Sequence, residues 1–464
     1  MLLANGRYNE FDGVFEAVQT SKISLSTLSL WTRFFYVISQ ALAHALVPFL
    51  FILLLLRSRK EPAHLQNLSH RFGFGPKNQT GQVWIYAASL GETRAASPLV
   101  RRLLAEGYTV LLTHQSPAGY AEGSRLFGNT KGVTQTYIPL DLFWTLRIFL
   151  LRFRPIALIV MEIELWPAML IETVRKDIPV MMANGNLLDE SLGRGVGPRY
   201  FIHQLYQLFG AIFTRSEAYK ERYLRLGIAP ARIFVVGDMK FDQTIDPAQV
   251  AMGQSLRTIW DGSERVLMIA SSVEAEEPLL LPMVARLIAA DAGLRVVWAP
   301  RSPQRFQAVA KALASLGLTG ANRSQLDLDG NAASLEAQVL VGDSIGEMNI
   351  YYAISDLVFV GASLVAHGGH NIIEPMALGR PVVMGPSTYG IDFIAKPAGA
   401  AGAFKSLMDV AKLEAEIMSL LSDPKALSRM VTAARDFYAD KSGAADRTFD
   451  GMKKVLQMAK WIKQ

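Results

Sequence analysis

"QVWIYAASLGETRAASPLVRRLLAEGYTVLLTHQ", residues 82–115, is the stretch whose reading decides the fold. It opens with an apolar, strand-forming run and passes through a short polar turn. Apolar positions at helical spacing follow, stopped by Gly107, and then a second apolar run. Strand, helix and strand in that order predict parallel strands joined by a helical crossover. The alternation continues outward: "IALIVM" (156–161), "PVMMANG" (179–185), "AIFTRS" (211–216) and "IFVVGD" (233–238) read as further strands bounded by turn residues. It halts near "DMKFDQTIDPAQVAMGQSL" (238–256) and restarts with "RVLMIASS" (265–272), "LRVVWAP" (294–300), "AQVLVGDS" (337–344), "LVFVGAS" (357–363) and "RPVVMGP" (380–386). The expected fold is α/β: two doubly wound, Rossmann-like domains with a cleft between the carboxyl ends of their strands. The expected divisions are an extension and membrane anchor over 1–60, a first domain over 61–245, and a second over 246–464. The second includes a terminal helix near "RTFDGMKKVLQMAKWIKQ" (447–464).

Composition narrows the class. A chain of 464 residues is long for one core, and half of its residues are hydrophobic. The 47 Lys and Arg exceed the 41 Asp and Glu, giving a net charge of +6 that suits an anionic surface or substrate. No basic run with interleaved aromatics points to nucleic acid. The absence of cysteine excludes disulfides, thiolate metal sites and cysteine nucleophiles.

The apolar surplus sits at the N-terminus. "FFYVISQALAHALVPFLFILLLL" (34–56) is long enough, as a helix, to cross a hydrocarbon core of roughly 30 Å. Gln40, His44 and Pro48 interrupt it, and an interfacial helix lying in one leaflet is the alternative. The stretch is too long and starts too late for a cleaved signal peptide. Arg57, Arg59, Lys60, Arg71 and Lys77 follow it, against Lys22 and Arg33 before it, so the bulk of the chain is expected in the cytoplasm.

Three loops after strands carry candidate chemistry. In "AASLGETRAAS" (87–97), Ser89, Gly91 and Glu92 sit where a strand turns into a helix. Gly91 is read as permitting a sharp turn. The helix start favours an ionised Glu92, which would suit a general base, and plain helix capping competes with that reading. In "VMEIELWPAM" (160–169), Glu162 and Glu164 occupy alternate positions that would point to opposite sides of an extended chain, so one of them at least is read as loop support. In "GASLVAHGGHNIIEP" (361–375), Gly368 and Gly369 allow close approach of a ligand, and a helix start there offers free N–H groups to a phosphate. Asn371 can cap that helix, His370 can orient the loop or contact an anion, and Glu374 can accept hydrogen bonds from ribose. Arg301 in "APRSPQRF" (299–306), Lys240 in "GDMKFD" (237–242), and Gly346 and Glu347 in "DSIGEM" (343–348) are supporting candidates. No P-loop, His-rich helix or Asp-x-Asp cluster appears, so neither a metal nor a cofactor is expected.

Taken together, "RFGFG", "SLGE", "PLD", "MEIELWP", "GDMKFD", "PRSPQRF", "DSIGEM" and "GGHNIIEP" resemble, in order, the motifs of bacterial 3-deoxy-D-manno-octulosonic acid (Kdo) transferases. The resemblance runs from about Arg71 to Phe404. It implies a GT-B glycosyltransferase anchored at the cytoplasmic face of the inner membrane, moving Kdo from CMP-Kdo to a tetra-acylated lipid A precursor. The family's catalytic glutamate falls on Glu92. Its cytidine nucleotide contacts fall on Arg301, on Gly346 and Glu347, and on the segment Gly368, Gly369, His370, Asn371 and Glu374. Ser89, Gly91, Glu162, Glu164, Lys240 and Ser271 are expected to support the cleft.

The chain also departs from the family pattern. "SSVEAEE" (271–277) has Val273 and Ala275 in place of histidine and glycine, "PRS" has Ser302 for histidine, and "NGN" has Asn186 for arginine. A divergent paralogue with another nucleotide sugar or acceptor is therefore one alternative. A sugar-nucleotide 2-epimerase, which shares the fold, is another.

Overall fold

The computed structural model describes residues 29–59, 62–76, 80–187, 198–242, 245–258, 265–326 and 337–462. Lys22, Lys60 and Lys77 lie outside them. The chain divides into two compact units, residues 1–243 with 442–464, and residues 244–441.

The first unit is built on a seven-stranded sheet in the order β3-β2-β1-β4-β5-β6-β7. Its strands are β1 (Val83–Tyr86), β2 (Val110–His114), β3 (Val133–Tyr137), β4 (Ala157–Met161), β5 (Val180–Gly185), β6 (Ala211–Thr214) and β7 (Ile233–Val235). All pairings are parallel, with Tyr86 in register with Thr113 on one side and Val160 on the other. Every residue of β1, β2, β4 and β5 is buried, which is why these strands read as unbroken apolar runs rather than alternating ones. The order reverses between β1 and β4. Loops leaving neighbouring strands diverge at such a point and open a site at the carboxyl ends.

The second unit repeats the plan with the order β10-β11-β9-β8-β12-β13-β14, again parallel throughout. These strands are β8 (Arg265–Ser272), β9 (Leu294–Pro300), β10 (Gly320–Asn322), β11 (Val339–Val341), β12 (Leu357–Val360), β13 (Val382–Met384) and β14 (Phe404–Ser406). Here β8 and β12 are the central neighbours.

Two findings differ from the sequence expectations. The terminal helix, Ala444–Ile462, groups with the first unit rather than the second. Phe449, Met452 and Leu456 complete the core that Leu99 and Leu103 supply from the helix Leu90–Ala105. Asp242 fixes the entry to that terminal helix by accepting hydrogen bonds from the backbone N–H groups of Gly443 (2.5 Å) and Ala445 (2.6 Å).

The second finding concerns the apolar N-terminal helix, Leu30–Ser58. Two of the residues that interrupt its apolar run, Gln40 and His44, help to dock it. Gln40 donates to the Asp141 carbonyl (3.1 Å) and accepts from the Phe143 N–H (2.8 Å), and His44 Nε2 accepts from the Trp144 indole (3.2 Å). Tyr36 donates to Glu172 (3.2 Å), and the Phe51 ring stacks on Phe72. From Tyr36 to Phe51 the contact line covers about 22 Å of helix. Leu42, Phe49, Ile52 and Leu53 remain exposed on this helix. It is long and apolar enough to cross a membrane.

Candidate functional site

In the first unit the reversal point gathers carboxylates. Ser89 caps the helix Leu90–Ala105, its hydroxyl accepting the Glu92 N–H (3.3 Å) and donating to Glu92 Oε1 (2.9 Å). The Ala88 N–H donates to Glu92 Oε2 (2.9 Å). Glu92 is thus a capping residue and a buried carboxyl at the end of β1 at once. Burial works against the helix start, which was expected to favour the ionised form. Burial pushes its pKa up to about 7, the Ala88 and Ser89 hydrogen bonds offset part of this, and repulsion from Glu164 and Glu162 adds to it. Gly91 makes no sharp turn. It lies in the first helical turn, and the nearest atom to a Cβ placed there is Ser89 Oγ at 3.9 Å, so the glycine leaves open space beside Glu92.

Glu162 and Glu164 follow β4. Glu162 has φ +60°, so the chain turns at once and the expected extended alternation is absent. Both side chains act on Glu92. Glu164 accepts from the Trp166 indole (2.8 Å). Burial first, and the Glu164 charge after it, raise the pKa of the neighbouring Tyr86 phenol. Glu162 is held by Arg215, by the Asn186 amide (3.2 Å) and by Lys240 (3.6 Å). Arg215 also meets Asp238 (3.5 Å) and the Asn184 carbonyl (3.2 Å). Sequence reasoning passed over Arg215. Its only sign was its place directly after β6, in "FTRS".

In the second unit Glu276 is the residue the sequence reading missed. It is fully buried in the short turn after β8, where its carboxylate accepts from the N–H groups of Val273 (3.3 Å), Ala362 (2.6 Å), Ser363 (2.7 Å) and Leu364 (2.8 Å). A carboxylate thereby ties the loop after β12 to the loop after β8. Ser271 (φ +56°) and Ala362 (φ +62°) take left-handed conformations where these loops meet.

Gly368 (φ +88°) and Gly369 (φ +74°) are required by backbone conformation and by crowding. The Tyr389 ring stands 2.9 Å from a Cβ at the first, and the Met384 methyl stands against the second. Protein atoms, not open space, therefore occupy the side-chain positions of both glycines. Asn371 precedes the N-cap Ile372, and its side chain accepts the Ile373 N–H (2.9 Å) and donates to Glu374 (3.3 Å). The helix that follows, Ile373–Ala377, is only five residues long. His370 Nε2 is buried with no hydrogen-bond partner among the described residues. Burial and the nearby Arg301 push its pKa down to about 4. It is neutral near pH 7 and can meet an anion only as an N–H donor.

Arg301 and Glu374 both act electrostatically on the buried Tyr352, so the structure brings Arg301, His370 and Glu374 into one neighbourhood. The Glu347 carboxylate is turned to Arg323 (3.0 Å) and Ser344 (2.5 Å), while Gly346 (φ +85°) shapes the turn before it. Ser302 bonds the Gln304 side chain.

Comparison with known proteins follows the same division. Residues 66–243 match the family model of 3-deoxy-D-manno-octulosonic-acid transferase (kdotransferase). Residues 303–437 match that of glycosyl transferases group 1. The chain is 34% identical over 390 residues to a 3-deoxy-D-manno-octulosonic acid transferase of Bordetella pertussis, covering 82% of this chain and 89% of the relative. To the transferase of that name from Haemophilus influenzae it is 30% identical over 436 residues, covering 92% and 99%. Among solved structures, UDP-GlcNAc 2-epimerase from Neisseria meningitidis superposes with a TM-score of 0.54 at 15% identity over 80% of this chain and all of that one. That last likeness is one of fold alone.

Proposed function

The chain belongs to the 3-deoxy-D-manno-octulosonic-acid transferase family and is a glycosyltransferase, and from that premise we propose that it moves Kdo from CMP-Kdo to a lipid A precursor in lipopolysaccharide inner-core biosynthesis. The observation that carries the reading is Glu92, a buried carboxyl with a pKa near 7 at the reversal point of the first sheet. A group so poised is part ionised at neutral pH and can accept a proton during reaction. Glu92 takes the proton of an acceptor sugar hydroxyl as that oxygen attacks the anomeric carbon of Kdo. The new glycosidic C–O bond forms as the bond from that carbon to the CMP phosphate breaks, inverting the centre in one displacement.

The second unit binds the donor. Arg301 and the backbone N–H groups near Asn371 receive the phosphate, Glu374 receives ribose hydroxyls, and the Gly346–Glu347 turn contributes to the nucleotide site. Ser89 and Ala88 hold the base, Glu162, Glu164 and Lys240 shape the loops near it in the first unit, and Ser271 shapes the loop after β8 in the second. No metal takes part. The N-terminal helix anchors the protein at the inner membrane, with both units on the cytoplasmic side. There Arg57 and Arg59 meet anionic lipid headgroups. The substitutions at Val273, Ala275, Ser302 and Asn186 bear on which donor and acceptor are preferred.

The test is direct. The full chain is incubated with CMP-Kdo and a tetra-acylated lipid A precursor in the presence of a chelator, and product mass is followed. Addition of Kdo is expected, with Glu92→Gln lowering the rate by about 10²–10⁴-fold. A folded wild-type protein that adds no sugar ends this donor–acceptor assignment.

A further inference from the structure

Between the N-terminal helix and the first sheet lies a cavity of about 490 Å³. Its volume is within the roughly 300–1,000 Å³ of small-molecule sites. Ala43, Val47 and Leu50 of the helix form one wall, and Leu142, Leu165 and Met169 face them. Two polar groups on the lining matter. The Asp141 carboxylate accepts the N–H groups of Ala168 (3.0 Å) and Met169 (2.8 Å), which spread its charge into the backbone. The Arg71 guanidinium meets the carbonyls of Gln115 (2.6 Å) and Ile138 (3.5 Å) and the Tyr137 ring, and no carboxylate among the described residues. It is a cation held beside an apolar chamber by neutral groups, which suits an incoming phosphate.

Two residues of the lining also lead towards the proposed base. Trp166 lines the cavity and donates to Glu164, which acts on Glu92. Gln115 lines it and accepts from Tyr86 (2.9 Å), which lies within electrostatic reach of both glutamates. The lining thus connects to the base through the Trp166–Glu164 and Gln115–Tyr86 pairs. The wall is itself part of a helix whose remaining surface is exposed and apolar, so a lipid reaches the chamber along the helix without its chain crossing water.

We propose that this cavity holds an acyl chain of the phosphorylated glycolipid acceptor, with Arg71 on the acceptor's phosphate, so that the N-terminal helix is a wall of the acceptor site and not only a tether. The inference rests on the function proposed above and deepens it. Ala43→Trp fills the chamber from a half-buried position in the helix wall, and Val47→Phe does so from the next turn. In the full chain, either variant is expected to lower kcat/KM for a tetra-acylated diphosphoryl glucosamine disaccharide by about tenfold or more. For the fully deacylated disaccharide the expected change is less than about twofold, because the steric block acts only on a chain in the pocket. Equal effects on both acceptors, or none on either, overturn the inference.

A second arm needs no turnover and so separates the two proposals. If the wild type transfers sugar to neither acceptor, the proposed function fails. The cavity is then judged by photolabelling with a diazirine-bearing tetra-acylated acceptor in phosphatidylglycerol vesicles. Labels on residues 43–50 and 165–169 that Ala43→Trp removes support it. Labels confined elsewhere overturn it. So does labelling of these residues by diazirine-phosphatidylglycerol that added acceptor does not displace, since bulk lipid is then the occupant.

Discussion

Glu92 caps its helix and has the burial that suits it to the proposed base, two readings that the sequence presented as alternatives. Its carboxylate closes a capping arrangement with Ser89, and its burial lifts its pKa to about 7. The pH consequences have a definite sign. The folded-state pKa lies above the unfolded value, so this group's contribution to stability is fully present below about pH 4.5 and is lost as pH rises through about 7. Catalysis runs the other way, because only the ionised form accepts a proton. The kcat/KM profile is therefore expected to climb to a limb near pH 7. Glu164→Gln, which removes a repelling charge, should move that limb to lower pH. A limb below pH 5 in the wild type would contradict the assignment of Glu92 as the base. That Glu92 sits at a strand-to-helix turn was legible in the sequence. Its pKa was not, because desolvation depends on which side chains pack over it and on two glutamates about seventy residues away in the chain.

At the scale of elements, the missed strands share one cause. β3 ("VTQTY"), β10 ("GAN") and β14 ("FKS") are all edge strands, and each carries polar or exposed positions that weaken its apolar signal. The buried central strands were all readable. Loops behave similarly: "SSVEAEE" stood out as a motif, yet the role of Glu276 appears only when the loops after β8 and β12 are set side by side. Glu276→Ala strips four backbone N–H groups of their acceptor, each worth roughly 1–3 kcal/mol when left buried and unpaired. Loss of at least about 3 kcal/mol in denaturant unfolding is expected. A change under about 1 kcal/mol would mean that water or neighbouring groups satisfy the loop without it. The N-terminal helix teaches the complementary lesson. Gln40 and His44 looked like flaws in an apolar span and are its docking residues, a difference that only their partners on Asp141, Phe143 and Trp144 reveal.

For the molecule as a whole, chain order and spatial order part company at the C-terminus. The terminal helix returns to the first unit, where Phe449 is buried against Tyr108 and under Arg102. Phe449→Ala is expected to destabilise that unit by about 3–5 kcal/mol. In calorimetry this should shift the transition carried by residues 1–243 and leave that of 244–441 in place. A shift in the second transition alone would place the helix with the wrong unit. By itself the sequence determined the class: two runs of buried parallel strands, an apolar N-terminal helix, and ordered motifs that fall at strand ends. These are properties of neighbours along the chain, written in periodicity, turn chemistry and local composition. Only the tertiary structure decided the protonation of Glu92, the clamp by Glu276, the anchoring of Glu162 by Arg215, and the unit to which the last helix belongs. Each of those depends on burial and charge brought together from segments distant in sequence, and no local pattern records that.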